Sequence, residues 1–264
     1  MFMEKAVEVK SKDELATMRQ AGAVVADILA LLSGQIKPGM TTGEIDKIAR
    51  EELKKRGAKP AFLNYHGFPG VICLSINHEV VHGIPSDKRK LVEGDIIGVD
   101  FGCVIDRFYG DSAVTIGVGK ISPEAAKLIR VTRESLMKGI EAVKAGARVG
   151  DIGAAVQAHA EAEGYGVVRE FVGHGIGRAL HEEPPIPNYG KAGTGPRLKA
   201  GMTIAIEPMI NIGTADVETL GDGWTAVTKD RKLSAHFEHT VAVTETGYDI
   251  LTLPSAAFNT PTKI

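Results

Sequence analysis

From Ser11 to Ile36 the apolar residues Leu15, Met18, Val25, Ile28, Leu29 and Leu32 recur at helical intervals. Ser11 and Glu14 have capping-box spacing, so the pattern predicts one long helix. KPGM (37–40) ends it, and a second helix starts at Thr41 or Thr42. That helix carries Ile45, Ile48, Ala49 and Leu53 on one face, carries Glu51, Lys54 and Lys55 on the other, and stops at Gly57. From Phe62 the period changes to short apolar runs between turn residues, FLNYHGFPG, VICLSI and NHEVVHGIP, which read as strands and loops. Ser122-Pro123-Glu124 starts a third helix through Leu128, Ile129, Val131, Leu136 and Ile140, and a fourth runs from about Gly150 to Ala162. Loops and strands follow to HFEHTVAVT, with a polar insertion from Gly213 to Asp222 and a loosely held tail from Leu253.

One stretch breaks the polar and apolar logic. Gly98 to Thr115 reads as two buried strands joined by a turn, through Val99, Phe101, Val104, Ile105, Phe108, Tyr109 and Val114, yet it contains Asp100 and Asp111. A buried carboxylate needs a partner, and two close together share a proton or bind a cation. Turn or N-cap duty is the plainer alternative for both.

The chain is internally repeated. IKPGMTTGEI from Ile36 aligns with VKAGARVGDI from Val143, and LVEGDIIGVD from Leu91 aligns at the same offset with LKAGMTIAIE from Leu198, which places Asp100 on Glu207. Past the polar insertion, GDSAVT from Gly110 aligns with the FEHTVAV stretch from Phe237, placing Asp111 on Glu238. A duplicated helix-helix-strand unit folding about a pseudo-twofold brings four carboxylates together. Four such groups require divalent cations to neutralise them. The expected class is therefore mixed α/β (α+β), with half-repeats of about 11–116 and 122–245 around a central, largely antiparallel sheet. Residues 1–10 and 253–264 are expected to be tails to one domain over 11–252.

Among the histidines, His174 stands between two glycines in GHGIGRALHEEP, His181 follows in the same run, and His82 precedes glycine in VVHGIP. An imidazole beside the carboxylates makes a mixed oxygen and nitrogen site suited to Mn, Fe, Co or Zn, whereas an all-oxygen site suits Mg or Ca. His66, His78, His159, His236 and His239 carry no such signal and read as structural or solvent-facing.

Composition narrows the partners. With 31 basic and 33 acidic residues and a net charge of −2, no general attraction to nucleic acid or anionic membrane is expected. Cys73 and Cys103 lie in apolar runs and read as buried thiols in a reducing cytosol, so a cytoplasmic location is expected. The charged N-terminus does not read as a signal peptide. No segment is expected to span a membrane, since AGAVVADILALL is interrupted by Asp27.

Asp100, Asp111, His174, Glu207 and Glu238, in the contexts GVDFG, GDSAVT, GHGIG, IEP and FEHT, resemble the five metal ligands of the type I methionine aminopeptidases. NHEVVHGIP, GHGIGRALHEEP and the segment around Trp224 are similar to that subfamily too, and the resemblance runs from about Ser11 to Leu251. It implies the pseudo-twofold pita-bread fold and two divalent ions per chain, among Co, Mn, Fe, Zn and Ni. It implies removal of the initiator methionine from nascent chains and peptides whose second residue is small, by a metal-activated water. Asp111 and Glu238 would be shared between the ions, Glu207 would shuttle protons, and His82 and His181 would bind the substrate and stabilise the oxyanion.

By the same resemblance Tyr65, Phe68, Cys73, Leu180 and Trp224 enclose the methionine side chain, with Phe62 beside them; the bland reading of Phe62 and Cys73 is core. Phe62 stands where the family often has cysteine, Leu180 where it often has an aromatic, and the wording Asn77-His78-Glu79 departs from the usual one. A monomer with transient ribosome contact is expected. The rivals are an enzyme cleaving before proline, which shares fold and ligands, and a non-catalytic binding module of the same fold.

Overall fold

A computed structural model describes residues 7–255. Residues 1–6 and 256–264, which hold most of both expected tails, lie outside the described residues. The first half comprises helices α1 (Lys12–Gln35) and α2 (Thr42–Lys55), then strands β1 (Lys59–Pro60), β2 (Ile72–Ile76), β3 (Glu79–Val81), β4 (Ile96–Ile105) and β5 (Phe108–Gly117). Next come α3 (Pro123–Glu141), α4 (Val149–Ala162), β6 (Gly166–Val167), β7 (Gly173–Gly175), β8 (Glu182–Ile186), β9 (Thr203–Ile206) and β10 (Met209–Asn211). The chain closes with β11 (Val217–Thr219), β12 (Ala226–Thr228), β13 (Ser234–His236), β14 (Glu238–Val243) and β15 (Tyr248–Ile250).

Local chemistry sets the helix starts. Ser11 Oγ accepts from the Glu14 N–H at 3.3 Å while Glu14 accepts from the Ser11 N–H at 2.7 Å. Thr41 and Glu44 do the same for α2, and Asp151 accepts from the Arg148 N–H at 2.7 Å for α4. Each such cap is worth roughly 1 kcal/mol. The α2 and α4 starts also pair with equivalent loops, Thr41 bridging Lys90 and Arg148 bridging Arg197.

The main sheet has nine strands in the order β1-β4-β5-β14-β9-β7-β8, with β2 on β4 and β15 on β14, and every pairing is antiparallel. Strands β5 and β14 meet at its centre, so the halves join through a ladder between segments far apart in sequence. One core cluster gathers α1 and α2 on β2 and β4, and a second gathers α3 and α4 on β9 and β14.

The structure changes three sequence readings. Within the expected N-terminal tail, Lys10 is 4% exposed; its N–H donates to the Gly201 carbonyl at 2.8 Å and its Nζ to Glu182 at 2.6 Å. The ammonium can be buried because that carboxylate pairs with it. At the other end Ser255 donates from both N–H and hydroxyl to the two Asp27 oxygens, each at 2.8 Å, and this ties down the start of the C-terminal segment. Finally, α1 is long and apolar enough to cross a membrane by length and composition, contrary to expectation. Half of its most apolar window is buried in the protein, where the helix packs on β4 and β5.

Candidate metal centre

Ladder geometry places the carboxylates. Asp100 faces Ala113 across the β4–β5 ladder and Cys73 across the β2–β4 ladder, and Asp111 faces Gly102. Strand residues two apart share a face, so Asp100 and Asp111 project together. Gly102 leaves the space: a Cβ there would lie 2.8 Å from the Phe62 ring and 3.2 Å from Asp111 Oδ1. In the second half His239 faces Ile206, which sets Glu238 level with Glu207 just past the end of β9. Glu238 itself pairs with Ala113 across the central ladder.

This register corrects one alignment. Glu207 sits level with Glu238 as Asp100 sits opposite Ala113, so the position equivalent to Asp111 is His236. A pair of hydroxyl clasps shows the same correspondence. The Thr240 hydroxyl accepts from the Asp111 N–H at 3.2 Å and donates to its carbonyl at 2.8 Å. Thr115 does likewise for His236, at 2.9 and 2.8 Å. The sequence alignment missed this because a strand break at Phe237 separates β13 from β14.

His174 is held by its neighbours. A Cβ at Gly173 would approach the Ala205 carbonyl oxygen to 2.3 Å, and one at Gly175 the Glu183 oxygen to 2.2 Å, so only glycines let β7 lie between β8 and β9. Nδ1 of His174 lies 2.8 Å from the Gly175 carbonyl oxygen. A carbonyl only accepts, so Nδ1 carries the proton and Nε2 keeps a lone pair. That Nε2 lies 3.5 Å from Glu207 Oε1. Ligand atoms of Asp111, His174 and Glu238 all fall within 4.8 Å of one another.

The electrostatics are those of an anionic cluster in want of cations. Burial raises Asp100 to about 7. Asp111, Glu207 and Glu238 are pushed well above the carboxylate range by burial first and by the neighbouring carboxylates second. Asp100 Oδ1, Asp111 Oδ1 and Glu238 Oε1 are buried with no hydrogen-bond partner. Oxygen donors with one imidazole fit a divalent ion, and the orphaned oxygens are what an ion would satisfy. Burial lowers His174 to about 3 and, aided by His181, His82 to about 4, so both rings are neutral.

The site residues that the sequence singled out all line one cavity of about 230 Å3, the carboxylates and His174 together with Phe62, Tyr65, Phe68, Cys73, Leu180 and Trp224. Cys73 and Cys103 are free, buried thiols. Phe68 and Trp224 meet edge to face at 5.2 Å. Tyr65 Oη lies 2.8 Å from His181 Nδ1, and the His181 and His174 rings are 4.3 Å apart. His82 holds a left-handed backbone, φ 61°, with its ring edge-on to Phe171 at 5.3 Å. Such strain in a β-containing loop costs of order 1–3 kcal/mol.

Two histidines passed over in the sequence belong to this neighbourhood. His66 lines the cavity beside Tyr65, and His236 lies 3.8 Å from Glu207. The available signal for His236 was its place two residues before Glu238 in an apolar strand.

A curled antiparallel sheet with helices outside it and a carboxylate and imidazole pocket within defines a class of metal-dependent peptidases. Residues 16–245 match the model of metallopeptidase family M24, and the chain belongs to that family, with its pita-bread fold. The relatives it matches are more particular. The methionine aminopeptidase 1 of Bacillus subtilis is 53% identical over 243 residues, covering 92% of this chain and 98% of that protein. The crystal structure of methionine aminopeptidase from Rickettsia prowazekii superposes with a TM-score of 0.92 at 45% identity, covering 94% of this chain and all of that one. A prolidase from Pyrococcus furiosus shares the fold alone, with a TM-score of 0.75 at 24% identity over 66% of its length.

Proposed function

We propose that this chain is a metal-dependent aminopeptidase that removes N-terminal methionine from peptides and nascent proteins whose second residue is small. The observation that carries the reading is the cluster of orphaned carboxylate oxygens beside the free Nε2 of His174, in a cavity that aromatic and apolar side chains also line. Asp100, Asp111, His174, Glu207 and Glu238 would hold two divalent ions, drawn from Co, Mn, Fe, Zn and Ni. When bound, these ions lower the pKa of water and polarise the scissile carbonyl.

The remaining work falls to side chains. Phe62, Tyr65, Phe68, Cys73, Leu180 and Trp224 receive the unbranched thioether side chain and exclude water around it. The substrate amine sits against the carboxylate cluster, which restricts cleavage to chain ends. Glu207, whose buried carboxyl holds a proton readily, accepts one from the nucleophilic water and passes it to the leaving amine. With Tyr65 as the donor to Nδ1 of His181, 2.8 Å away, the proton of that ring would lie on Nε2. His181 and His82 then donate to the developing oxyanion. Residues 11–252 would act as one catalytic unit, a monomer in the cytoplasm that meets its nascent substrates in transient contact with the ribosome.

The test uses metal-stripped protein reloaded with each cation in turn. Met-Ala-Ser should yield free methionine only in the presence of metal. Cleavage confined to Xaa-Pro peptides, or metal uptake without turnover of either, would overturn the assignment in favour of a proline-directed peptidase or a binding module.

A further inference from the structure

His236 is the imidazole beside the carboxylates that the reaction above leaves without a task. It ends β13, is 3% exposed, and its Nε2 has no hydrogen-bond partner. Its backbone is clasped by Thr115 as the backbone of Asp111 is clasped by Thr240, so the symmetry of the sheet seats it in the place of a proposed metal ligand. A further carboxylate there would add repulsion to a cluster already crowded with negative charge. An imidazole offers an N–H instead.

The two oxygens of Glu207 face different rings. Oε1 lies 3.5 Å from Nε2 of His174 and Oε2 lies 3.8 Å from Nε2 of His236. His174 carries its proton on Nδ1, so its Nε2 cannot donate to Glu207. That leaves His236 as the ring able to do so, and a small rotation of the carboxylate brings the pair within hydrogen-bond distance. We propose that His236 is a positioning residue, whose Nε2–H donates to Glu207 and fixes which oxygen that carboxylate turns toward the metal. The inference rests on the ligand assignment proposed above.

The test compares His236→Gln, which keeps a side-chain N–H donor, with His236→Met, which keeps length and bulk but has none. Titration of the metal-stripped variants with Mn2+ should show affinity for the more weakly held ion falling about 10–100-fold in His236→Met and staying close to the parent in His236→Gln. In assays at saturating metal, kcat for Met-Ala-Ser should fall in His236→Met with KM unchanged. Parent-like metal binding in His236→Met, or equal defects in the two variants, would overturn the proposal. Glu207→Gln is titrated alongside: undiminished metal affinity there overturns the ligand assignment of Glu207, whereas a failure confined to the His236 variants overturns only the positioning role. If His236→Met does not fold, the 15N–1H imidazole spectrum of the metal-stripped parent decides. A protonated Nε2 whose resonance moves on Glu207→Gln supports the contact, and an unprotonated Nε2 excludes it.

Discussion

A carboxylate that is buried without a cation raises its own pKa, and four together amplify one another. Glu207 illustrates the consequence. It is surrounded by Asp100, Asp111 and two neutral rings, so glutamine replaces its protonated carboxyl with a neutral group of the same size. Glu207→Gln should therefore fold with an undiminished melting temperature in the metal-stripped state, while kcat falls by about 10²–10⁴ through loss of acid and base catalysis. Parent-like turnover in that variant would remove Glu207 from proton transfer. His174→Ala tests a different property, since it deletes the imidazole that faces Asp111 and Glu238. Elemental analysis of the purified variant should show lowered metal content, and an unchanged stoichiometry would argue against ligation.

At the scale of elements, the site depends on how closely strands approach. Gly102 lets the Phe62 ring and Asp111 lie against β4, and an added methyl would also meet the Ala61 Cβ at 3.0 Å. Gly102→Ala should cost about 1–3 kcal/mol of stability by overpacking. Denaturant unfolding of the metal-stripped protein measures this, and a loss too small to resolve would mean that Phe62 moves aside freely. The helices behave differently from the strands. Their starts are specified by Ser11, Thr41 and Ser122 within a few residues, and the observed α1, α2 and α3 begin where those residues place them.

For the whole molecule, the charged cluster links stability, metal and pH. Asp100 is raised from the ordinary 3.8 to about 7, so the metal-free folded chain holds a proton that the unfolded chain releases. That contribution is full below 3.8 and is lost as pH rises through about 7. His174 and His82 act in the opposite sense. Lowered from 6.5 to about 3 and about 4, they contribute stability above 6.5 that is lost as pH falls. Between about pH 6 and about pH 8 protons compete with cations for the buried carboxylates, so the rise in melting temperature on adding Mn2+ should be larger at about pH 8 than at about pH 6. Equal shifts at the two values would show that the metal displaces no protons.

Sequence by itself determined the four helices, the caps of α1 to α3, the strand pair carrying Asp100 and Asp111, and the duplicated plan, because periodicity and capping act over a few residues. It also singled out side chains that line a single cavity, since motifs of glycine, histidine and carboxylate are local. Tertiary structure alone decided the register of β5 on β14, the clasps of Thr115 and Thr240, and with them the place of His236 opposite Glu207. It alone buried Lys10 against Glu182 and closed Ser255 onto Asp27. Apart from the pair Glu207 and His236, these contacts join residues more than a hundred positions apart. Nothing within a short window encodes such a pairing; it is settled by which register buries both halves of the sheet and satisfies the polar groups between them.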